Sequence, residues 1–164
     1  MLGPALHILT EPDHLAACFV IGLLAGQRSR REMLSLLAGF VGAFLVAFCM
    51  AVLAGGVAFE SIDAFAAAAT LIAAGLLVAI PRVSLLPLVL AVAVVTGAVH
   101  GFANGIAAST LLAVAGAVPA AAAIAVIGAG LAASLRAPWG LIAVRVLGSW
   151  AAALGLILLG IALR

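Results

Sequence analysis

MLSLLAGFVGAFLVAFCMAVLAGG, Met33 to Gly56, runs for 24 residues without a charge and with a single hydroxyl, Ser35. About 20 apolar residues in a helix cross the hydrocarbon core of a bilayer, so this stretch predicts a membrane span. The rest of the chain resembles it. Of the 164 residues, 68% are hydrophobic and 7% charged, and the mean hydropathy is +1.48. So little polar surface cannot cover a water-soluble globule of this size. The composition therefore predicts an all-α integral membrane protein, with residues 1–164 forming one compact bundle of about six transmembrane helices and no soluble domain.

The few polar residues set the helix boundaries. Spans are expected at 12–26, 33–56, 62–80, 84–105, 117–135 and 139–163, with Pro81, Pro87, Pro119 and Pro138 near their ends, where a missing N–H costs least. A seven-helix alternative splits the apolar stretch from Gly105 to Leu135 in two. Arg28, Arg30 and Arg31 follow the first span, Arg82 the third and Arg136 the fifth, all on one side. By the positive-inside rule that side is cytoplasmic, which puts the N-terminus and, after six crossings, the C-terminus outside, with Arg164 dissenting. The start lacks a basic region and a small-residue cleavage site, so no cleaved signal peptide is read. Cys18 and Cys49 stand inside apolar runs without CxxC spacing and are read as packing residues.

With that topology the chemistry gathers on one side. His7, Glu11, Asp13 and His14 lie at the outer mouth of the first helix, Glu60 and Asp63 before the third, and His100 near the outer end of the fourth. Only Glu32 among the acids is elsewhere, beside Arg28 and Arg31, where it reads as a solvated charge pair. Carboxylates raise the local concentration of cations, and neutral imidazole suits nickel, cobalt, zinc or copper better than magnesium or calcium. Each residue alone has a plainer explanation: Pro12 fits a first helical position and Asp13 a first turn, where the macrodipole favours a carboxylate. Together they are harder to dismiss, because ionisable groups at membrane depth are costly and tend to mark ion pathways.

A second constellation is TGAVHGFANG, Thr96 to Gly105. Gly97, Gly101 and Gly105 form a bare stripe for close helix packing, as do Gly22 with Gly26 and Gly148 with Gly155. His100 and Asn104 stand one turn apart beside that stripe. Two ligands at this spacing can share a metal, although an amide oxygen is a weak ligand for borderline metals. A His–Asn hydrogen bond between helices explains the pair equally well.

These residues resemble the HupE/UreJ family, polytopic membrane proteins linked to hydrogenase and urease operons and regarded as nickel, sometimes cobalt, permeases. Its first helix carries a His-Pro-x-x-Gly-x-Asp-His pattern, which His7, Asp13 and His14 match in spacing, with Ile8 and Glu11 in place of the Pro and Gly. Its fourth helix carries His-Gly-x-Ala-His-Gly-x-Glu; here His100, Gly101, Ala103 and Gly105 match, while Asn104 and Ala107 replace the second His and the Glu. LAACFVIGLLAGQ after the first motif and the ending VRVLGSWAAALGLILLG are also similar to the family. No histidine follows His100, although members commonly carry one in the fifth helix. The resemblance implies a multi-pass protein of the bacterial inner membrane, with nickel or cobalt as substrate. It implies a metal site of His7, Asp13, His14 and His100, with Asn104, Glu60 and Asp63 as weaker contributors.

Two functions follow. One is a permease-like protein that draws a divalent metal to the outer carboxylates, binds it at Asp13, His14 and His100, and passes it inward. The other is a non-transporting accessory subunit of a larger membrane complex, derived from the same family with its metal site degraded. Thr70 and Ser84 are the mild polar groups of the inner half, and Arg145 is expected to snorkel to the inner interface. No nucleophile, nucleotide or redox motif points to an enzyme; haem held by His14 and His100 is the remaining cofactor alternative. The expected partners are the lipid bilayer and a larger complex or a second copy, with no basic patch for nucleic acid.

Overall fold

The structure, a computed structural model, describes residues 11–55, 60–80, 85–108 and 110–164, and the backbone alone at 60–63. They form six helices: α1 (Pro12–Gly26), α2 (Arg30–Leu53), α3 (Glu60–Ala79), α4 (Leu86–Ala108), α5 (Val114–Ser134) and α6 (Pro138–Ala162). The stretch from Gly105 to Leu135 holds the end of α4, a short 3-10 turn at Leu111–Ala113 and one helix, so the six-helix reading stands over the seven-helix one. α2, α4, Leu111–Ser134 and α6 are each long and apolar enough to cross a membrane.

Local sequence explains most of the boundaries. Pro12 and Pro138 open α1 and α6 in the first turn, where the absent N–H would have had no helical partner. α2 begins three residues before the expected start because Ser29 and Glu32 close a capping box. The Glu32 carboxylate accepts from Ser29 N at 3.2 Å and from Ser29 Oγ at 2.9 Å, and Glu32 N donates to Ser29 Oγ at 3.4 Å. Glu32 is thus a capping group, a role missed when it is read only as a partner of arginines. After Leu53 the chain turns through Gly55, whose φ of 73° is open to glycine at little steric cost. Pro119 departs from expectation: it lies inside α5, not at its end, because the helix begins at Val114 and is led in by the 3-10 turn.

Three close helix pairs build the bundle. Along α4, Gly97, Gly101 and Gly105 sit against the backbone carbonyls of Phe40, Phe44 and Phe48 on α2, one glycine per turn. Gly22 and Gly26 of α1 meet the carbonyls of Ala125 and Ala129 on α5, and Gly128 returns the contact to Phe19. Gly75 of α3 faces Gly148 and Ala152 of α6, while Gly155 faces Ala68. The matching order of contacts makes α1 parallel to α5 and α2 parallel to α4, and the reversed order makes α3 antiparallel to α6. That is the pattern of six helices alternating in direction.

α1 occupies the centre. Every residue from Val20 to Gly26 is buried, as expected of a helix surrounded on all sides. Its 15 residues span only about 22 Å, less than the roughly 30 Å of a bilayer's hydrocarbon core. The outer faces stay apolar, with Val46, Met50, Ile127, Ile142 and Ile161 exposed where lipid chains would contact them.

Candidate metal centre

The site is built where the short central helix begins. Glu11 is the extended residue before α1, Pro12 starts it, and Asp13 and His14 project from its first turn. His100 comes from α4, on the face beside the glycine stripe that holds α4 against α2. The close approach of α2 and α4 leaves that neighbouring face of α4 turned toward α1. His14 is 7% exposed and His100 is fully buried.

Across 86 residues of sequence, His14 Nδ1 and His100 Nδ1 lie 2.7 Å apart. Their rings meet edge to face, with centroids 4.9 Å apart and planes at 82°. One imidazole donates and the other accepts, so the two share a single proton along this contact. His100 Nε2 is buried with no hydrogen-bond partner among the described residues. An unpartnered buried polar atom of this kind costs about 1–3 kcal/mol and calls for an explanation.

Asp13 completes a cluster. One ligand atom from each of Asp13, His14 and His100 can be chosen so that all lie within 4.8 Å of one another. With metal–nitrogen bonds of about 2.1 Å, adjacent octahedral ligands stand about 3.0 Å apart and opposite ones about 4.2 Å. The three groups are therefore close to the size of a coordination shell; the histidine contact has to open by about 0.3 Å and give up its proton, and the widest pair has to close by up to about 0.6 Å. The donor set of two imidazoles and one carboxylate suits nickel, cobalt or zinc. Asp13 is half-buried and lines a cavity of about 150 Å³ with Ala64 and Ala67 of α3 and Leu158, Ile161 and Ala162 of α6. That cavity supplies space beside the carboxylate for an approaching ion and its water.

The remaining candidates sort differently. Asn104 is buried one turn beyond His100, and its amide nitrogen donates to the His100 carbonyl at 2.8 Å. It braces its own helix, an alternative to both the ligand role and the bond between helices. His7 lies outside the described residues, as do the side chains of Glu60 and Asp63. Cys18, one turn along α1 from His14, is a buried free thiol within the apolar core. Direct contact between His14 and His100 is the feature the sequence did not reveal. Spacing within a helix marks each residue, but pairing between helices one and four depends on the whole bundle.

Fold and polar cluster together define a polytopic membrane protein with a candidate transition-metal centre at one end. Residues 2–158 match the family model described as HupE / UreJ protein, and the chain belongs to this family. No curated protein and no solved structure matches it. The family is associated with nickel and cobalt handling, and its members are accessory or permease-like proteins rather than known enzymes.

Proposed function

We propose that this chain is a permease-like protein that takes nickel or cobalt as its substrate at Asp13, His14 and His100 and passes it inward. The observation that carries the reading is the convergence of these three ligand-bearing side chains from two helices in an otherwise apolar bundle. Ionisable groups inside a membrane bundle are expensive, and packing alone gives no reason to bury two imidazoles against each other. His7 stands in the same motif and is assigned as a further ligand, with Glu60 and Asp63 in the approach to the site. By the positive-inside rule the site faces outward and Arg28, Arg30, Arg31 and Arg136 face the cytoplasm of a bacterial inner membrane.

One observation favours the second reading, an accessory subunit that does not transport. Beyond the site, the buried polar residues among those described are Thr70, Thr96 and Asn104. Each donates to its own helix: Thr70 to Ala67 O at 2.9 Å, Thr96 to Val92 O at 2.7 Å and Asn104 to His100 O. No second cluster of ligands among the described residues leads toward the arginine end.

Isothermal titration of nickel, cobalt, zinc and copper into the detergent-purified protein tests the site. Saturable binding that is weakened in both His14→Ala and His100→Ala supports it; absence of binding sinks the permease reading. Uptake of the bound metal into proteoliposomes then separates the two functions, since an accessory subunit binds without transport.

A further inference from the structure

At the end of the bundle opposite the histidines, a cavity of about 260 Å³ opens between three helix termini. Gly26 and Gln27 form the α1 side, Ala132 and Arg136 the α5 side, and Leu141 and Arg145 the α6 side. Gln27 closes the back by donating its amide to Val78 O at 3.2 Å, which ties the end of α1 to the end of α3. Among the described residues no carboxylate lines the cavity with the two guanidinium groups. Arg136 is anchored on one edge, its Nε donating to Ala133 O at 3.1 Å.

Arg145 is the unusual member. It lies seven residues into α6, about 10 Å along the axis from Pro138. Trp139, exposed in the first turn of α6, marks the level where an indole prefers the membrane–water interface. The Arg145 backbone lies about 9 Å beyond Trp139 along the axis, and a guanidinium on this apolar flank is stabilised by an anion beside it. The flank of the cavity is apolar, with Leu141 and Ile142 exposed along α6. Paired guanidinium donors beside an apolar helix face match an amphiphile with a phosphate head better than a free anion.

We propose that this cavity binds the phosphodiester of an anionic phospholipid, held between Arg136 and Arg145, with the acyl chains lying along the exposed face of α6. Two positive charges without a neighbouring carboxylate select a headgroup of net negative charge, because a zwitterionic headgroup brings a cation that nothing in the cavity accepts. The inference is independent of the metal site, which lies at the other end of the bundle.

Native mass spectrometry of the full chain tests it, with phosphatidylglycerol and phosphatidylcholine offered separately. Retention of phosphatidylglycerol is expected to exceed that of phosphatidylcholine by about tenfold. Arg136→Gln with Arg145→Gln removes the preference, and Arg164→Gln at the far terminus leaves it intact. Equal retention of the two lipids, or an undiminished preference in the double variant, overturns the proposal. Displacement of the lipid by inorganic phosphate at equal concentration overturns the lipid assignment in favour of a small-anion site. Phenylglyoxal modification of the unaltered protein gives a second reading that needs no variant. In phosphatidylglycerol vesicles Arg136 and Arg145 are modified more slowly, relative to Arg164, than in phosphatidylcholine vesicles; equal relative rates contradict the site.

Discussion

The two ends of this bundle treat polar groups in opposite ways. At the arginine end most of the bonds are local, Ser29 with Glu32, Ser134 with Leu131 O and Arg136 with Ala133 O, and the one that reaches across, Gln27 to Val78 O, joins a neutral amide to a helix-end carbonyl. At the histidine end the decisive contact joins His14 to His100 across the bundle and out of reach of solvent. Local bonds satisfy helix termini and arise wherever a helix meets water. A buried contact between distant ionisable residues has no such origin, and it stabilises less than well-packed apolar side chains would. The contrast supports the proposal of a ligand at the histidine end, while the capping and backbone bonds of the arginine end finish helices.

The largest expected effect tests what holds the histidine end in register. A Cβ on Gly101 would meet Phe44 Cα at 2.7 Å and Phe44 C at 2.8 Å, both backbone atoms that cannot swing aside. Gly101→Leu should cost about 3 kcal/mol or prevent assembly, read as a fall in the unfolding midpoint in detergent. Gly42→Ala on the open face of α2, where nothing lies within 4 Å, should leave the midpoint unchanged or raise it. If Gly101→Leu proves as mild as Gly42→Ala, the α2–α4 seam does not set the position of His100.

Next comes the ligand contrast. His100→Ala should weaken nickel binding by at least the roughly 100-fold that even supporting groups around a metal can contribute, measured by titration calorimetry. Arg136→Ala, at the other end, should leave metal affinity within about twofold, since the charges are separated by more than a Debye length. Equal losses would erase the distinction between the ends. In the metal-free protein, removing both imidazoles as His14→Leu with His100→Leu should be nearly neutral, whereas either single change removes one side of the buried Nδ1–Nδ1 contact and is the more destabilising. A double-mutant cycle on unfolding free energy checks this order.

A smaller effect belongs to the arginine end. Ser29→Ala removes the capping box and should lower stability by about 1 kcal/mol without altering metal binding. A loss of metal affinity in this variant would show that the ends are coupled through α2.

Much of this architecture was legible from residues 33–56 and their counterparts, because a bilayer demands long apolar runs and the polar residues fall between them. Six helices, their order and the glycine faces at Gly97, Gly101, Gly105, Gly22 and Gly148 could all be read that way. Boundaries were less secure. Pro119 looks like a terminus in sequence, yet the helix takes it in its second turn, where the 3-10 segment before it supplies the start. The candidate site was legible as a set of residue types on one side of the membrane, not as a constellation. Ala-rich helices carry little periodicity, so nothing in the chain says which face of α4 meets α1. Arg145 illustrates the same limit: its sequence position suggests snorkelling, and only the packing of α1, α5 and α6 places it beside Arg136 in one cavity.

The smallest effect decides the role of Asn104, which stands where the family pattern has a histidine. Its amide donates to the His100 carbonyl within the same helix, so Asn104→Ala should cost about 1 kcal/mol or less, because the carbonyl keeps its helical partner. Nickel affinity should stay within about twofold, since a neutral amide adds little to a shell that already holds two imidazoles and a carboxylate. A tenfold or greater loss of affinity with unchanged stability would instead make Asn104 a ligand and extend the centre one turn along α4. Asn104→His separates these outcomes further: an imidazole at this position tightens binding only if the path from His100 continues along that face. The contrast between a local bond and a convergent one thus reaches into the site itself, with Asn104 on the local side and His100 on the other.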